Sequence, residues 1–276
     1  MNKAMKVLLP AAGLAAVGLG VTAFLVAPGR ARKRSKAQFY GRNFAHRGLY
    51  KPDKTIAENS LTAFRAAADN GYGMELDVQL SSDEQVVVFH DDSLKRVCGV
   101  DADVDDRTWA ELQELGLSGT DEPMPLLSDV FAAVDGRTPI IIELKGGRRN
   151  ELLCQKTLDL IDRYSGPICV ESFEPMIVRW FRLHAPDILR GQLSSQREDL
   201  ATEMSPFKAF CVSNLLTNFL TRPQFIAYHV GKKPWTVRLC EAMGAMKVLW
   251  TSHDWTSEAL ADAVIFEFYR PRRKFK

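Results

Sequence analysis

Short strand-like runs alternate with amphipathic segments of helical length from Phe39 to the end of the chain. This alternation is typical of βα repeats that build a parallel sheet. Eight parallel strands with helices outside them predict an α/β fold, the TIM (β/α)8 barrel, whose functional residues lie at the carboxyl ends of the strands. The runs predicted to be barrel strands are Phe44–His46, Gly73–Gln79, Ile140–Leu144, Ile168–Glu171, Ile188–Gln192, Phe207–Val212, Met246–Trp250 and Ala263–Glu267.

The outer helices are predicted from apolar residues spaced near 3.6 positions apart. A capping-box spacing at Thr108 indicates one further helix start. A length of 276 residues suits one such domain with an appendage, and a hydrophobic fraction of 46% is ordinary for a soluble core. The predicted helices are Ser60–Asn70, Arg149–Tyr164, Glu174–His184, Arg222–Val230 and Pro234–Met243.

A ninth run, Val86–His90, follows the second strand too closely for a parallel connection, which needs about a dozen residues. We therefore expect an antiparallel hairpin. A turn centred between Ser82 and Asp83 would place His90 opposite Glu75.

The amino-terminal residues 7–26 carry no charged side chain. At about 1.5 Å per residue they are long enough to cross a hydrocarbon core of roughly 30 Å. We expect a transmembrane helix here, with a cleaved signal peptide or a buried helix as alternatives. The basic run 28–36 follows at once, which is unusual after a signal peptide. Basic residues are more numerous after the segment than before it. The positive-inside rule therefore places the barrel of a single-pass membrane protein on the cytoplasmic side.

The chain is thus divided into a membrane anchor with a basic juxtamembrane segment, residues 1–36, and a barrel, residues 37–276. Within the barrel, residues 91–125 are longer than a normal connection and rich in aspartate, which indicates an insertion beside the mouth. The formal net charge of +2 gives no indication of a nucleic-acid partner. Five widely spaced cysteines favour free thiols over a disulfide framework or a zinc site.

Three acids, Glu75, Asp77 and Glu143, are predicted to point from two strands towards a common centre. They would repel one another unless a cation lay between them. Carboxylate oxygens without cysteine or clustered histidine select Mg²⁺ or Ca²⁺. We therefore expect a divalent metal, although each acid taken alone is as readily explained as a solvated strand end or a salt-bridge partner of Arg47 or Lys145.

His46 and His90 lie at the ends of apolar strands and suit general acid and base roles beside a metal. The planar fork of Arg47 suits a phosphate, and Lys145 adds a charge near the same anion. A metal, two histidines and cations together indicate displacement at phosphorus. Trp250 is predicted either to form an apolar wall for a substrate or to pack in the core. Surface or capping roles are expected for the other histidines, His184, His229 and His253.

Seven motifs occur in order along the chain: His46-Arg47-Gly48, Glu58-Asn59-Ser60, Glu75-Leu-Asp77-Val-Gln79, Val87-Val-Phe-His90-Asp91, Glu143-Leu-Lys145, Glu171-Ser-Phe173 and Leu249-Trp-Thr251. The series resembles the glycerophosphodiester phosphodiesterase family from about Asn43 to Glu267. The resemblance implies a TIM barrel that uses a divalent metal to hydrolyse glycerophosphodiesters to an alcohol and glycerol 3-phosphate. It also implies attack by the glycerol 2-hydroxyl and a cyclic phosphate that water then opens.

On matching positions the resemblance makes the three acids the metal ligands and the two histidines the general acid and base. It places Arg47 at the phosphate and Lys145 near it. Glu58 becomes either a metal-site group or a group that supports the site from outside.

Two stretches depart from the family pattern. Ser252-His253-Asp254 follows Trp250-Thr251 where Val-Asn is usual, and Phe266–Pro271 replaces a late Thr-Asp-Pro signature. The chain also ends without a predicted helix to cover the last strand. The alternatives are a phospholipase of the lysophospholipase D, phosphatidylinositol-specific phospholipase C or sphingomyelinase D type, or a non-catalytic, membrane-tethered glycerophosphodiester-binding protein.

Overall fold

A computed structural model of the protein describes residues 16–276. Over these residues nine strands form one sheet, and eight of them run parallel and close into a barrel, because the first strand pairs with both the second and the last. The predicted TIM barrel is confirmed. The strands are β1 (Arg42–Ala45), β2 (Gly73–Leu80), β3 (Val86–Val88), β4 (Ile140–Leu144), β5 (Ile168–Ser172), β6 (Leu189–Ser194), β7 (Phe225–His229), β8 (Met246–Ser252) and β9 (Ala263–Phe266).

Helices surround the barrel, and two short 3-10 helices lie at Val104–Asp106 and Leu117–Gly119. At Thr108 the predicted capping box forms, with the hydroxyl and the Glu111 carboxylate each bonding the other's backbone N–H. The helices are α1 (residues 16–26), α2 (Lys33–Ala37), α3 (Leu61–Asp69), α4 (Lys95–Cys98), α5 (Trp109–Leu112), α6 (Leu127–Val134), α7 (Asn150–Ile161), α8 (Pro175–His184), α9 (Arg197–Leu200), α10 (Pro206–Ser213), α11 (Asn218–Thr221), α12 (Trp235–Ala242) and α13 (Thr256–Leu260).

Two predicted elements are wrong: a predicted strand is a helix, and a predicted helix contains a strand. The predicted strand Phe207–Val212 lies within helix α10, which Ser205 caps and Pro206 begins at its first position. The predicted helix Arg222–Val230 contains strand β7, whose first four residues are fully buried between neighbouring strands. Their β-branched and aromatic side chains suit a strand, so burial on both faces hid the alternation that would have identified it.

The antiparallel hairpin of β2 and β3 is confirmed, but its predicted register is wrong by one residue. Val78 pairs with Val88, so Leu76 rather than Glu75 would oppose His90. The loop is centred on Asp83 and not between Ser82 and Asp83, and Glu84 adopts a left-handed backbone with φ 64°. Such a residue is typical of three-residue hairpin loops.

The predicted insertion at residues 91–125 stays a prediction. These residues form short helices around a small apolar core that also includes Val87 and Phe89 of the hairpin. This core includes Leu94, Val104, Leu112 and Leu117, all fully buried. The division into residues 1–36 and 37–276 stays a prediction. All five cysteines are free thiols, as predicted.

Inside the barrel, the residues at the end opposite the mouth are apolar. Phe44, Ile141, Cys169 and Phe225 belong to one buried cluster there. Alternation along β4 and β5 then places acids at the next inward positions, nearer the mouth. The same strands therefore form an apolar base and carry acidic side chains at the mouth, the end formed by their carboxyl termini.

An extended tail, residues 267–276, follows the last strand in place of a helix. The tail runs back along the barrel, so that the N–H of Phe275 donates to the Gly41 carbonyl and Lys274 forms an antiparallel bridge with Arg42. The Tyr72 hydroxyl also donates to the Pro271 carbonyl. These contacts close the outer ring beside β1 and β2.

The predicted transmembrane helix at 7–26 lies partly outside the described residues. Residues 16–26 are helical, and residues 7–15 are not described. Among residues 16–276 no helix is both long and apolar enough to span a bilayer. The carboxyl end of α1 packs on the barrel, where Val26 is fully buried against Leu215 and Tyr228.

Candidate active site

Three carboxylates gather at the mouth, the end formed by the carboxyl termini of the barrel strands. Glu75 and Asp77 lie two residues apart on β2, and Glu143 on β4 pairs in register with Asp77. All three are buried, and each offers an oxygen within 4.8 Å of the others. The structure thus brings together the three acids that the sequence selected.

The pKa values of Glu75 and Asp77 are shifted in opposite directions. Burial and the neighbouring carboxylates of Asp77 and Glu143 raise the pKa of Glu75 well above its usual range. Burial also opposes ionisation of Asp77, but the neighbouring His90 and the cationic side chains of Lys145 and Arg47 hold its pKa far below the usual range. The buried Asp77 Oδ1 has no hydrogen-bond partner among the described residues. Asp77 Oδ2 accepts from the Asn59 side-chain amide, so Oδ1 is the oxygen left free for a ligand. An oxygen-only donor set with such a carboxylate fits a hard divalent cation.

Lys145 supplies one of those cations. Its Nζ donates to Glu143 Oε1 at 2.8 Å and lies 3.6 Å from Asp77 Oδ1. Burial disfavours the ammonium, but these two carboxylates more than offset it and raise the pKa of Lys145. The side chain therefore stays charged at the edge of the acid cluster.

Arg47 and Glu58 form a second layer around the cluster. The backbone N–H of Arg47 donates to Glu75 Oε2 at 2.9 Å, from a left-handed conformation with φ 50°. Its guanidinium donates to Glu58 Oε1 at 2.8 Å, and Arg96 donates to both oxygens of the same carboxylate. With both its oxygens so engaged, Glu58 suits the supporting role, one of the two that the sequence left open.

His46 is oriented by Glu267, a residue that the sequence analysis did not select. Nδ1 of His46 lies 2.9 Å from Glu267 Oε2, and Nε2 lies 3.9 Å from Glu75 Oε2. The Tyr50 hydroxyl donates to the same Glu267 oxygen, and His253 Nε2 lies 2.7 Å from the other. Burial opposes ionisation, but these hydrogen bonds, led by that of His46, lower the pKa of Glu267 to about 2. Its position at the carboxyl end of the last predicted strand, Ala263–Glu267, was the signal that could have identified it.

His90 has a comparable partner in Asp91. Nδ1 of His90 lies 2.6 Å from Asp91 Oδ1, and Arg96 Nε donates to Asp91 Oδ2 at 2.6 Å. An ionised carboxylate only accepts, so Nδ1 carries the proton and Nε2 is left as the reactive nitrogen. Both histidines therefore follow the same design, with one ring nitrogen held by an acid.

Glu171 is a fourth buried acid at this end of the barrel. It pairs in register with Glu143, and its Oε2 has no hydrogen-bond partner among residues 16–276. Burial and the charges of Glu143 and Asp77 raise its pKa well above the usual range. The Glu171-Ser-Phe173 motif marked this position, although no role was predicted for it.

The three remaining histidines lie in different surroundings. His184 is on the outside of the barrel, where its Nδ1 bonds the Trp180 carbonyl. The His229 ring packs against Trp250 in a tilted arrangement, with ring centroids 4.5 Å apart. His253 is an exposed side chain, as expected, but its Nε2 also lies 2.7 Å from Glu267 Oε1 at the mouth.

A cavity of about 230 Å³ joins these groups, and it is lined by both catalytic candidates His46 and His90. Trp250 forms part of its wall, with its indole N–H donating to the Ser194 carbonyl and its ring edge-on to Phe173. The cavity adjoins a wider cleft of about 650 Å³, which shares His90 and Phe173 with it. Trp250 thus lines the cavity and also packs against Phe173, and its role as a wall for a substrate stays a prediction.

The protein is a TIM barrel with a cluster of buried acids at its mouth. Two histidines lie beside these acids, and each is held by a carboxylate. This fold and this site together define its class. The phosphodiesterase from Oleispira antarctica, solved with the product sn-glycerol-3-phosphate, is 24% identical with a TM-score of 0.66, over 84% of this chain and 94% of that one. The glycerophosphodiester phosphodiesterase from Thermotoga maritima is 26% identical with a TM-score of 0.62, over 81% and 93%.

The profile of the Glycerophosphoryl diester phosphodiesterase family matches residues 46–269. The chain therefore belongs to this family, as the sequence motifs predicted. It is 37% identical to Lysophospholipase D GDPD1 of Rattus norvegicus over 162 residues, which are 53% of this chain and 50% of that protein. The chain thus spans about half the length of the first curated relatives that it matches.

Proposed function

We propose that this protein hydrolyses glycerophosphodiesters to an alcohol and glycerol 3-phosphate with the aid of a divalent metal. The observation that carries the proposal is a cluster of three buried carboxylates, two of which, Glu75 and Glu143, line one cavity with the two carboxylate-held histidines. Family membership supports the same reaction class. Mg²⁺ and Ca²⁺ both suit the oxygen donors Glu75, Asp77 and Glu143. When bound, either ion would polarise the phosphoryl oxygens and offset their developing charge.

Arg47 and Lys145 are proposed to hold the phosphate. Both remain charged in spite of burial, and both lie against the acid cluster. Phosphate oxygens would accept from donors that now bond Glu58 and Glu143. A diester held in this way would lie beside the metal ligands rather than in solvent.

His46 and His90 are proposed to exchange proton roles. One imidazole removes the proton of the glycerol 2-hydroxyl, whose oxygen attacks phosphorus, and the other protonates the departing alcohol oxygen. The products of this step are the free alcohol and a cyclic phosphate. Water then opens the cyclic phosphate, with the two histidines in reversed roles, and yields glycerol 3-phosphate.

The substrate class is proposed to include lysophospholipids as well as short diesters such as glycerophosphocholine. Relatives named as lysophospholipase D support this choice. The cleft of about 650 Å³ beyond Phe173 provides room for a headgroup or chain next to the cavity. A lysophospholipase D still releases an alcohol from a glycerophosphodiester, so the catalytic groups are the same.

We further propose that residues 7–26 anchor the protein in a membrane as a single span, with the barrel on the cytoplasmic side. The uncharged sequence of that segment and the basic residues that follow it support the proposal. The buried contact of Val26 would hold the barrel directly against the end of the anchor.

One substrate panel tests the function. The purified protein is assayed with glycerophosphocholine, lysophosphatidylcholine, phosphatidylinositol and sphingomyelin, each with Mg²⁺, with Ca²⁺ and with EDTA. Metal-dependent release of glycerol 3-phosphate from the first substrate is the expected result. Turnover that survives EDTA refutes the metal role. Diacylglycerol from phosphatidylinositol indicates the phospholipase C type, and ceramide phosphate from sphingomyelin indicates the sphingomyelinase D type. Tight binding without turnover indicates a non-catalytic binding protein.

A further inference from the structure

Two basic segments at opposite ends of the sequence meet at the base of the barrel, the end formed by the amino termini of its strands. The first segment contains Arg30, Arg32, Lys33, Arg34 and Lys36, and the second contains Arg272, Arg273, Lys274 and Lys276. Neither residues 27–41 nor residues 268–276 include an acid. We call these nine cations the basic face.

The first segment crosses the base. The N–H of Gly29 donates to the Pro223 carbonyl, just before β7, and Lys36 Nζ donates to the Gly244 carbonyl, just before β8. Arg32 lies 3.2 Å from Asp187, just before β6. Each contact is with a loop that leads into a strand, so this segment lies at the end opposite the catalytic mouth.

The second segment arrives at the same place because the carboxyl-terminal tail runs back down the barrel. The Gly41 carbonyl accepts from the N–H of Phe275. Gly41 has φ 69°, and a Cβ added there would lie 2.7 Å from the Cβ of Lys276, so there is no room for a side chain at this position. Lys276 Nζ also lies 5.1 Å from the Tyr40 ring centroid. The tail therefore ends beside the residues that follow α2.

Helix α1 leaves the barrel at this base as well. Arg222 donates to the carbonyls of Phe24 and Ala27, and Asn218 donates to that of Val26. These bonds fix the carboxyl end of the helix to the loop before β7. Apolar side chains on the rest of α1 are exposed, namely Val17, Leu19, Val21 and Phe24.

Few acids offset the basic face. In the part of the chain that the structure describes, two salt bridges join it to acids, Arg32 with Asp187 and Lys276 with Asp262. The Arg32 and Asp187 side chains are 81% and 77% exposed, so water screens that pair. Clustered cations next to an exposed apolar helix are complementary to an anionic lipid surface.

We propose that the basic face binds the anionic surface of a bilayer and turns the catalytic mouth away from it. The base and the mouth are opposite ends of one rigid barrel, so contact at the base directs the site towards the aqueous phase. The docking needs no turnover. If the proposed function also holds, the enzyme takes its diester from water rather than from the bilayer on which it rests.

The test measures which end of the barrel is close to the lipid. The full chain, with the partly exposed Cys98 and Cys211 changed to Ser, receives a donor dye at Ala37→Cys on the base or at Ala201→Cys near the mouth. Both positions are exposed alanines. Energy transfer to a headgroup-labelled lipid is measured in nanodiscs of phosphatidylcholine alone or with phosphatidylserine. We expect stronger transfer from the base probe in the anionic discs, and a smaller difference at high salt.

Two triple variants separate docking from simple tethering. Replacing Arg272, Arg273 and Lys274 with Gln should shift the balance of docked and undocked barrels by about a hundredfold, at about fivefold per cation. Replacing Lys51, Lys54 and Lys232 with Gln should leave the transfer unchanged, because these residues are exposed on the mouth side. Stronger transfer from the mouth probe, equal effects of the two variants, or independence of phosphatidylserine would overturn the proposal. Substrate turnover enters none of these readouts, so a failed docking test is distinct from a failed activity.

Discussion

Glu267 Oε2 lies 2.9 Å from Nδ1 of His46, which connects the last barrel strand to the first. Because the ionised carboxylate only accepts, Nδ1 donates and Nε2 is directed towards Glu75, 3.9 Å away. The carboxylate thus sets both the tautomer and the orientation of the ring. Tyr50 and His253 hold the carboxylate in turn.

Replacing Glu267 with Gln should lower kcat by roughly tenfold or more while KM changes little, because an amide can present its donor to the ring and favour the wrong tautomer. Steady-state kinetics on glycerophosphocholine measure the effect. His253→Gln is the matched control, since it removes the exposed partner of the same carboxylate. Equal losses in the two variants would contradict a specific role in orienting His46.

The same variant should move the pH profile. Burial lowers the pKa of His46, and the hydrogen bond and charge of Glu267 raise it. Removing the negative charge leaves burial less opposed, so the pKa of His46 falls further. The limb of the kcat/KM profile that reports His46 should therefore shift to lower pH in Glu267→Gln. A shift to higher pH would count against this contact.

His46→Ala and His90→Ala should each reduce kcat by at least about a hundredfold, the usual contribution of general acid or base catalysis. Circular dichroism and thermal melting check that both variants fold. His184→Ala should retain activity, because that side chain lies on the outer helix α8. Retained activity in both mouth variants would rule out their proposed proton roles.

Metal binding should stabilise the fold, since only the native state assembles the three carboxylates. At a hundredfold excess over Kd the gain is about 2.7 kcal/mol, or roughly 5 to 10 °C in melting temperature. Glu75→Gln should abolish this increase and leave the metal-free protein as stable or more so, because burial and the neighbouring acids raise the pKa of Glu75. Asp103→Asn, in an exposed acidic group, should keep the increase. Calorimetry with and without EDTA decides.

Local sequence patterns predicted the acid cluster because alternation along a strand fixes the side to which Glu75 and Asp77 point. The closed barrel then brings Glu143 beside them through in-register pairing. His46 and Glu267 are 221 positions apart, and their contact depends on the pairing of β1 with β9. No local pattern carries that information.

The errors have local physical causes. In the hairpin, a left-handed residue at Glu84 added one position to the loop and displaced the register. In Phe207–Val212, aromatic and β-branched residues resembled a strand, although the Ser205 cap and Pro206 indicated a helix start. The path of the carboxyl-terminal tail along the barrel depends on contacts with Gly41 and Tyr72, which only the closed fold provides.

Gly191→Ala should destabilise the barrel by about 1–3 kcal/mol. A Cβ at Gly191 would lie 2.0 Å from the ring of Phe225, its register partner in the barrel interior, so the ring must move. Gly147→Ala, where a Cβ meets nothing within 4 Å, should stay within about 0.5 kcal/mol of the parent protein. Denaturant unfolding measures both. Combining Gly191→Ala with Phe225→Leu should cost less than the sum of the two single changes, because the smaller side chain makes room for the methyl group; simple additivity would show that the two sites do not compete for the same space.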